Sequence, residues 1–334
     1  MILVTGGTGL LGSHLLYELV KSGKEVTAIR RSEKHMPEVL EVFNYYEDDL
    51  TAMLEKIRWV EADMLNFQDM LEVMEGVKEV YHCAAIVSFD PNLHAQMIRS
   101  NTDGTANLVN AALESGVRKF LHVSSTAAIG KPVGDNLADE TLIWTESKAN
   151  TGYSISKFRS EMEVWRGIQE GLNAVIVNPS IILGPGFWDH GSSSIFKKID
   201  KGLKFYSHGV TGYVGVWDVV RIIRQLMESD ISEERFLVTA ENLTYREVFN
   251  MVADEMGRKR PNIEGTKFMS ELAWRADWLR SKALRIGEHT FTRERVRAAR
   301  NVVRYDNAKV RKALDFEFEP VDSVIKKVVA YYRS

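Results

Sequence analysis

The chain has 334 residues, of which 45% are hydrophobic and 27% charged, with a formal net charge of −3. That length can bury a large core, and the balance is that of a globular protein, not a disordered or fibrous one. The near-neutral charge argues against a nucleic-acid partner. No apolar run of about 18 residues offers a membrane helix. Cys83 is the single cysteine, so an intrachain disulfide is excluded. In the run VYHCAAIV it reads as a small buried hydrophobe that suits a reducing compartment. A strand starting at residue 2 leaves no room for a signal peptide, and a cytoplasmic protein is expected.

The chain opens MILVTGGTGLLGSHLLYELVKSG. Ile2 to Val4 reads as a strand, and His14 to Val20 has helical spacing with Leu15, Leu16, Leu19 and Val20 on one side. Gly6, Gly7, Gly9 and Gly12 therefore fall at a strand-to-helix turn. Glycines there permit positive φ and close approach of a ligand, and the free N–H groups of the helix start favour an anion. The turn reads as a phosphate site, in one of two registers: Gly7, Gly9, Gly12 as GxGxxG, or Gly6, Gly9, Gly12 as GxxGxxG.

Further strands are predicted at Glu25 to Ile29, Ile57 to Val60, Val77 to Cys83, Lys119 to Ser124 and Asn173 to Val177. Helical patterns lie at Phe67 to Met74, Ala95 to Glu114 and Tyr153 to Glu170. This alternation predicts an α/β fold, a Rossmann-type doubly wound parallel sheet whose ligands bind beyond the carboxyl ends of the strands. Pro179, Gly184, Pro185 and Gly186 then break the pattern. Tyr245 to Met256 and Ser270 to Arg280 look helical, while Tyr213 to Val216 and Phe236 to Thr239 read as short returns to the sheet. We thus expect a dinucleotide-binding domain over 1–178, with returns near 213–240, and a smaller, mostly helical substrate lobe over 179–334. Arg258 to Lys312 is rich in Lys and Arg but interleaved with Glu264, Glu271, Asp277, Glu288 and Glu294. It reads as solvated helix faces, a basic rim for an anionic ligand being the alternative.

The stretch YSISK puts Tyr153 and Lys157 one turn apart on a helix face. A free tyrosine, with a pKa near ~10, exchanges protons poorly at neutral pH. A neighbouring ammonium lowers that value and makes the pair a general acid/base. An exposed helical face explains most YxxxK sequences. Here, however, FLHVSSTAAIG sets Ser124 and Ser125 at the end of the fifth strand, where a hydroxyl could hold a substrate oxygen or simply close the strand.

With these stretches in order, the chain resembles an extended short-chain dehydrogenase/reductase of the NAD-dependent epimerase/dehydratase family, nearest in pattern to its dihydroflavonol reductase-like members. TGGTGLLG (Thr5 to Gly12) matches TGxxGxxG and selects the Gly6, Gly9, Gly12 register. EADM with Asp63, HCAA (His82 to Ala85), NTDGT (Asn101 to Thr105), Ser125, Tyr153, Lys157 and NPSIILGPG (Asn178 to Gly186) follow in family order, and RYDNAKVRKALDFEFEP (Arg304 to Pro320) is a family-like tail.

The resemblance implies roles residue by residue. Gly6, Thr8, Gly9, Leu10, Leu11 and Gly12 would shape the pyrophosphate turn, and Asp63 and Met64 would contact adenine. Ala84 and Ala85 would lie beside the cofactor, with Pro179 and Ser180 lining the nicotinamide. Lys157 would hold the nicotinamide ribose and tune Tyr153. Tyr153 would exchange a proton with the substrate oxygen that Ser125 polarises. Asn101 would support the local helix or a water relay. At the second strand's end, AIRRSEK carries Arg30 and Arg31 where an acid would mark NAD. Their forked donors suit a 2′-phosphate, so NADP(H) is expected ahead of NAD(H).

Thr126, Ala127 and Ala128 stand where the family's dehydratases carry an Asp-Glu pair, which sets dehydration aside. The resemblance thus implies an NADPH-dependent reductase of a moderately hydrophobic aldehyde or ketone. A nucleotide-sugar 4-epimerase with tightly bound NAD is the first alternative, and a non-catalytic NADP(H)-sensing protein the second. Val87, Ser88 and Phe89 are the expected substrate contacts, with Phe187 to Ser194 and residues near Tyr213 and Trp217 adding to the pocket. A homodimer through Ala95 to Glu114 and Tyr153 to Glu170 would follow the habit of relatives. His190 and His208 are isolated in sequence and read as exposed or structural. No metal is expected, because no His/Cys/Asp cluster has ligand spacing.

Overall fold

The computed structural model describes all residues except 133, 135, 148, 149, 266–274, 276–293 and 295–298. The helix predicted at Ser270 to Arg280 therefore falls, but for Arg275, outside the described residues. The strands are β1 (Ile2–Thr5), β2 (Val26–Arg30), β3 (Ile57–Glu61), β4 (Glu79–His82), β5 (Lys119–Val123), β6 (Ala174–Pro179), β7 (Ile181–Leu183), β8 (Phe205–Tyr206), β9 (Val210–Gly215), β10 (Glu234–Val238), β11 (Glu241–Thr244) and β12 (Ile263–Glu264). Seven of them form one sheet in the order β10-β6-β5-β4-β1-β2-β3, with every pairing parallel. From β1 the chain winds out to β3, crosses back to β4 and winds out the other way. The crevice beyond the carboxyl ends of β1 and β4 lies at this reversal, the ligand position of such sheets.

The strands are apolar runs, not alternating ones, because helices cover both faces. Val4, Leu121 and Val175 face α1 (Leu10–Lys21) and α8 (Val216–Glu228) through Leu15, Leu16, Val219 and Ile222. Their sequence neighbours Leu3, Phe120 and Ile176 face α4 (Phe67–Met74), α5 (His94–Glu114) and α6 (Gly152–Gln169) through Met70, Leu108 and Val164. No helix among the described residues is long and apolar enough to cross a membrane.

Three features depart from the pattern read in the sequence. The connection from β2 to β3 holds α2 (Met36–Asn44) and the single turn α3 (Thr51–Leu54), too short for a clear period. Helix α8 carries a run of valines and isoleucines that reads as strand. Tyr213 to Val216 does not return to the main sheet. Its first three residues end β9, in a separate sheet of order β11-β9-β7, and Val216 begins α8. Phe236 to Thr239 does return, as the edge strand β10 beside β6. The small sheet packs with α7 (Ser194–Asp200), α9 (Tyr245–Glu255) and α11 (Val321–Arg333), which follows α10 (Ala308–Leu314), around Leu183, Phe196, Val252 and Val328.

Arg235 fastens the edge strand. Its guanidinium reaches the fully buried Glu161 of α6 at 3.0 Å and donates to the Glu140 and Leu142 carbonyls. Removing one partner of a buried pair strands the other charge. Arg235→Ala should therefore lower stability by about 3 kcal/mol in urea unfolding. The matched control is Arg99→Ala, which removes an exposed i,i+4 pair with Asp103 and should cost under about 0.5 kcal/mol.

Candidate functional site

The glycine turn is built by backbone crowding. Gly6 has φ +72°, and a Cβ there would lie 2.5 Å from the Ala84 nitrogen. A Cβ at Gly12 would lie 2.1 Å from the Gly6 carbonyl oxygen. At Gly7 the obstacle is only the flexible Leu16 side chain, and at Gly9 nothing comes nearer than 3.5 Å. Gly9 caps α1 without a side-chain acceptor, and no acid stands in the helix's first turn. The amides from Leu10 to Gly12 thus head a helix whose positive end favours a phosphate. This cradle fits a dinucleotide.

β1 and β4 are joined below the turn. Thr5 Oγ1 lies 2.7 Å from His82 Nδ1, and His82 Nε2 lies 2.9 Å from Thr105 Oγ1. Thr105 gives its proton to the Asn101 carbonyl, so His82 donates through Nε2 and accepts at Nδ1. Burial and the nearby Lys157 hold this imidazole's pKa down to about 3, and it stays neutral. Asn101 clamps Ile86 at both backbone atoms, at 2.7 and 2.9 Å, and reaches Ser156 Oγ at 3.2 Å. Its amide is thereby committed to positioning the segment after β4.

Ser125, Tyr153 and Lys157 come together at the carboxyl end of β5. Thr151 caps α6, so Tyr153 occupies the first turn, half-buried, with the Ser125 hydroxyl beside it. Lys157 is buried one turn on and donates to the Val123 carbonyl at 2.8 Å. Burial draws its pKa down to about 8, against the opposing pull of Glu161. Burial likewise raises the Tyr153 pKa, opposed by Ser125. Spacing alone predicts that Lys157 lowers that value. The ammonium is instead turned to the Val123 carbonyl, and desolvation governs the phenol. Tyr153 therefore keeps its proton at neutral pH.

Sequence reasoning misses Glu161. It accepts from Ser124 Oγ at 2.6 Å and Asn178 Nδ2 at 2.7 Å, and so ties the ends of β5 and β6 to α6. A signal exists: Tyr153, Lys157 and Glu161 recur at intervals of four. Tyr305 is also missed; it shares hydrogen bonds with Thr126, next to Ser125, and with Thr211.

The other predicted residues divide. Phe89 packs against Tyr153 with ring centroids 5.9 Å apart, Ser88 accepts from the Asp90 amide at 3.1 Å, and Val87 stands exposed. Ala84 donates to Thr5 Oγ1 and Ala85 is exposed. Asp63 follows β3, its Oδ1 accepting from Leu65, and Met64 lies against Gly104. Pro179 ends β6, but the Ser180 hydroxyl is spent on Thr239 at 3.0 Å and faces β10. Arg30 pairs with Glu33 at 2.6 Å and Glu61 at 3.9 Å across Trp59, whereas Arg31 is exposed. Tyr213 lies in the core of the small sheet, and Trp217 packs with Tyr45 and His14, so the pocket role expected near them is not supported. His190 is exposed but not isolated: the fold brings it to His35 and Glu38.

Residues 2–238 match the family described as NAD dependent epimerase/dehydratase, and the chain belongs to it. Its membership makes it an oxidoreductase-type enzyme of the nicotinamide cofactors. It is 27% identical to the sterol demethylase protein B of Methylococcus capsulatus over 99% of this chain and 98% of that protein. It is 34% identical to a putative dihydroflavonol 4-reductase of Synechocystis over 56% of this chain and 50% of that one. The crystal structure of gox2253 superposes with a TM-score of 0.79 at 26% identity, covering 100% of this chain and 98% of that one.

Gly12→Ala forces a Cβ into backbone that cannot yield. Titration with a nicotinamide dinucleotide should show binding weakened by at least about a hundredfold, or about 2.7 kcal/mol, while Gly9→Ala, whose Cβ has room, should weaken it less.

Proposed function

We propose that the chain is an NADP(H)-dependent reductase of a moderately hydrophobic aldehyde or ketone, with Tyr153 as proton donor. The observation that carries this reading is the meeting of Ser125, Tyr153 and a buried Lys157 at the sheet edge that also bears the glycine turn. Relatives named for a sterol and a dihydroflavonol, both compounds of fused rings, support an apolar substrate.

When bound, the nicotinamide supplies the hydride. Gly6, Thr8, Gly9, Leu10, Leu11 and Gly12 hold the pyrophosphate, Asp63 and Met64 the adenine, and Lys157 the adjoining ribose. Ala84, Ala85, Pro179 and the backbone of Ser180 border the nicotinamide. Tyr153, protonated at rest, gives its phenolic proton to the carbonyl oxygen while the Ser125 hydroxyl hydrogen-bonds that oxygen. To favour the phenolate left behind, the Lys157 ammonium has to turn from the Val123 carbonyl towards the phenol. Val87, Ser88 and Phe89 border the substrate, and Asn101 holds their segment in place. Arg31, exposed and with no ion pair among the described residues, offers its charge to a 2′-phosphate. Arg30 can join by giving up Glu33; its Nε is buried without a hydrogen bond.

That pairing of Arg30 with Glu33 and Glu61 also favours a second reading, a nucleotide-sugar 4-epimerase with retained NAD, since part of the positive charge is already answered. Fluorescence titration separates the two. The reductase should bind NADPH at least about tenfold tighter than NADH, and Arg30→Ala/Arg31→Ala should erase the difference. Tighter NADH binding, or protein that cannot be freed of NAD, would favour the epimerase.

Tyr153→Phe should lower kcat about a thousandfold, within the range for a general acid, with NADPH affinity almost unchanged. A near-normal rate would overturn the mechanism. Reduction should also slow as pH rises through about 8, where Lys157 loses its proton. A rate that stays flat well above that pH would contradict the assignment.

A further inference from the structure

Metal-type donors converge where the loop between β7 and α7 meets the start of α2. His35 ends the one-turn helix Glu33–His35, Glu38 lies in the first turn of α2, and His190 arrives from the loop. One donor atom from each lies within 4.8 Å of the other two. His35 Nδ1 and Glu38 Oε1 are already 3.3 Å apart. Donors at about 2.0–2.2 Å from a tetrahedral zinc stand about 3.3–3.5 Å from each other. The remaining gap is within the reach of side-chain rotation.

The loop is seated so that His190 meets His35. Gly186 has φ +86° and rests on Val42, where a Cβ would lie 2.5 Å from that side chain. Phe187 is held at φ +58°, a left-handed conformation that a residue with a Cβ adopts only under constraint. Trp188 Nε1 donates to Glu41 of α2, and Asp189 pairs with Lys197 at 2.5 Å. The His35 and His190 rings then meet edge to face, centroids 5.9 Å apart. Among the described residues no hydrogen bond engages the His190 ring. His35 and Glu38 are partly exposed and His190 is exposed, so an ion and a water ligand can enter.

We propose that His35, Glu38 and His190 bind a divalent cation of the zinc class, and that the ion clamps the loop Phe187 to His190 onto α2. Two imidazole nitrogens and one carboxylate oxygen select such an ion over magnesium or calcium, which prefer oxygen alone. Three protein ligands leave a position for water. The site does not draw on the reductase reading and stands or falls without it.

The test uses tag-free full-length protein stripped with chelator, titrated with Zn²⁺ by calorimetry and with Co²⁺ by visible absorbance. One ion should bind per chain. Zn²⁺ should slow amide exchange over Phe187 to His190. His190→Ala and His35→Ala should each weaken binding by at least about tenfold, and metal-free thermal melts matching wild type show that each variant folds. His208→Ala, whose ring lies 3.6 Å from Glu264 and edge-on to Tyr206, should leave binding unchanged. Absence of saturable binding, or binding that His190→Ala leaves intact, would overturn the site. Binding without slowed exchange would overturn the clamp.

Discussion

A carboxylate sealed from water has to be answered on every side, and Glu161 is such a group. Its two oxygens gather Arg235 from β10, Ser124 from the end of β5, Asn178 from β6 and Trp165 from its own helix. Through Arg235 the carbonyls of Glu140 and Leu142 are drawn in as well. One charge thus sets where α6 sits against the carboxyl ends of the strands. Since Tyr153 and Lys157 lie on the same helix face, it also sets where the proton-bearing groups stand. It is the counter-charge that keeps a buried lysine an ammonium near neutrality.

The second constraint is at the opposite side of the crevice. Gly6 and Gly12 let β1, β4 and α1 approach more closely than any side chain would allow, and His82 locks the approach with a pair of threonines. Here close packing and a helix end without a side-chain cap come from the same glycines. The glycines are needed for the turn to close, and the closed turn is what leaves helix amides unspent.

Much of this is legible from residue order. The strand, glycine turn and helix at the start are local features, and local rules describe them. The strands of the main sheet are short β-rich runs between recognisable helices, and Phe67 to Met74 matches α4 to the residue. YSISK and the serines upstream stand out by type and spacing, and the fold brings Ser125, Tyr153 and Lys157 together at the end of β5. What stays hidden depends on distant partners. Arg30 reads as a free cation until β3 brings Glu61 beside it and the loop folds Glu33 back. The Tyr153 pKa depends on burial, which spacing does not encode. Tyr213 reads as a pocket lining but packs under the small sheet, and α8 looks like strand because its valines and isoleucines meet both α1 and the main sheet. His190 gains neighbours only because a left-handed turn at Phe187 carries it to α2.

The path of the chain through the main sheet bears on how the protein can be taken apart. After β6 the chain leaves to build the small sheet and α8, then comes back at Glu234 to lay β10 along β6. A fragment cut at residue 178 would leave β6, with its apolar AVIV, as a raw edge whose amides and carbonyls have lost their partner on one side. Such an edge is a template for another chain's strand. The two sheets are stitched together rather than strung in line, and cleavage between them is a route to aggregation, not to an isolated first half.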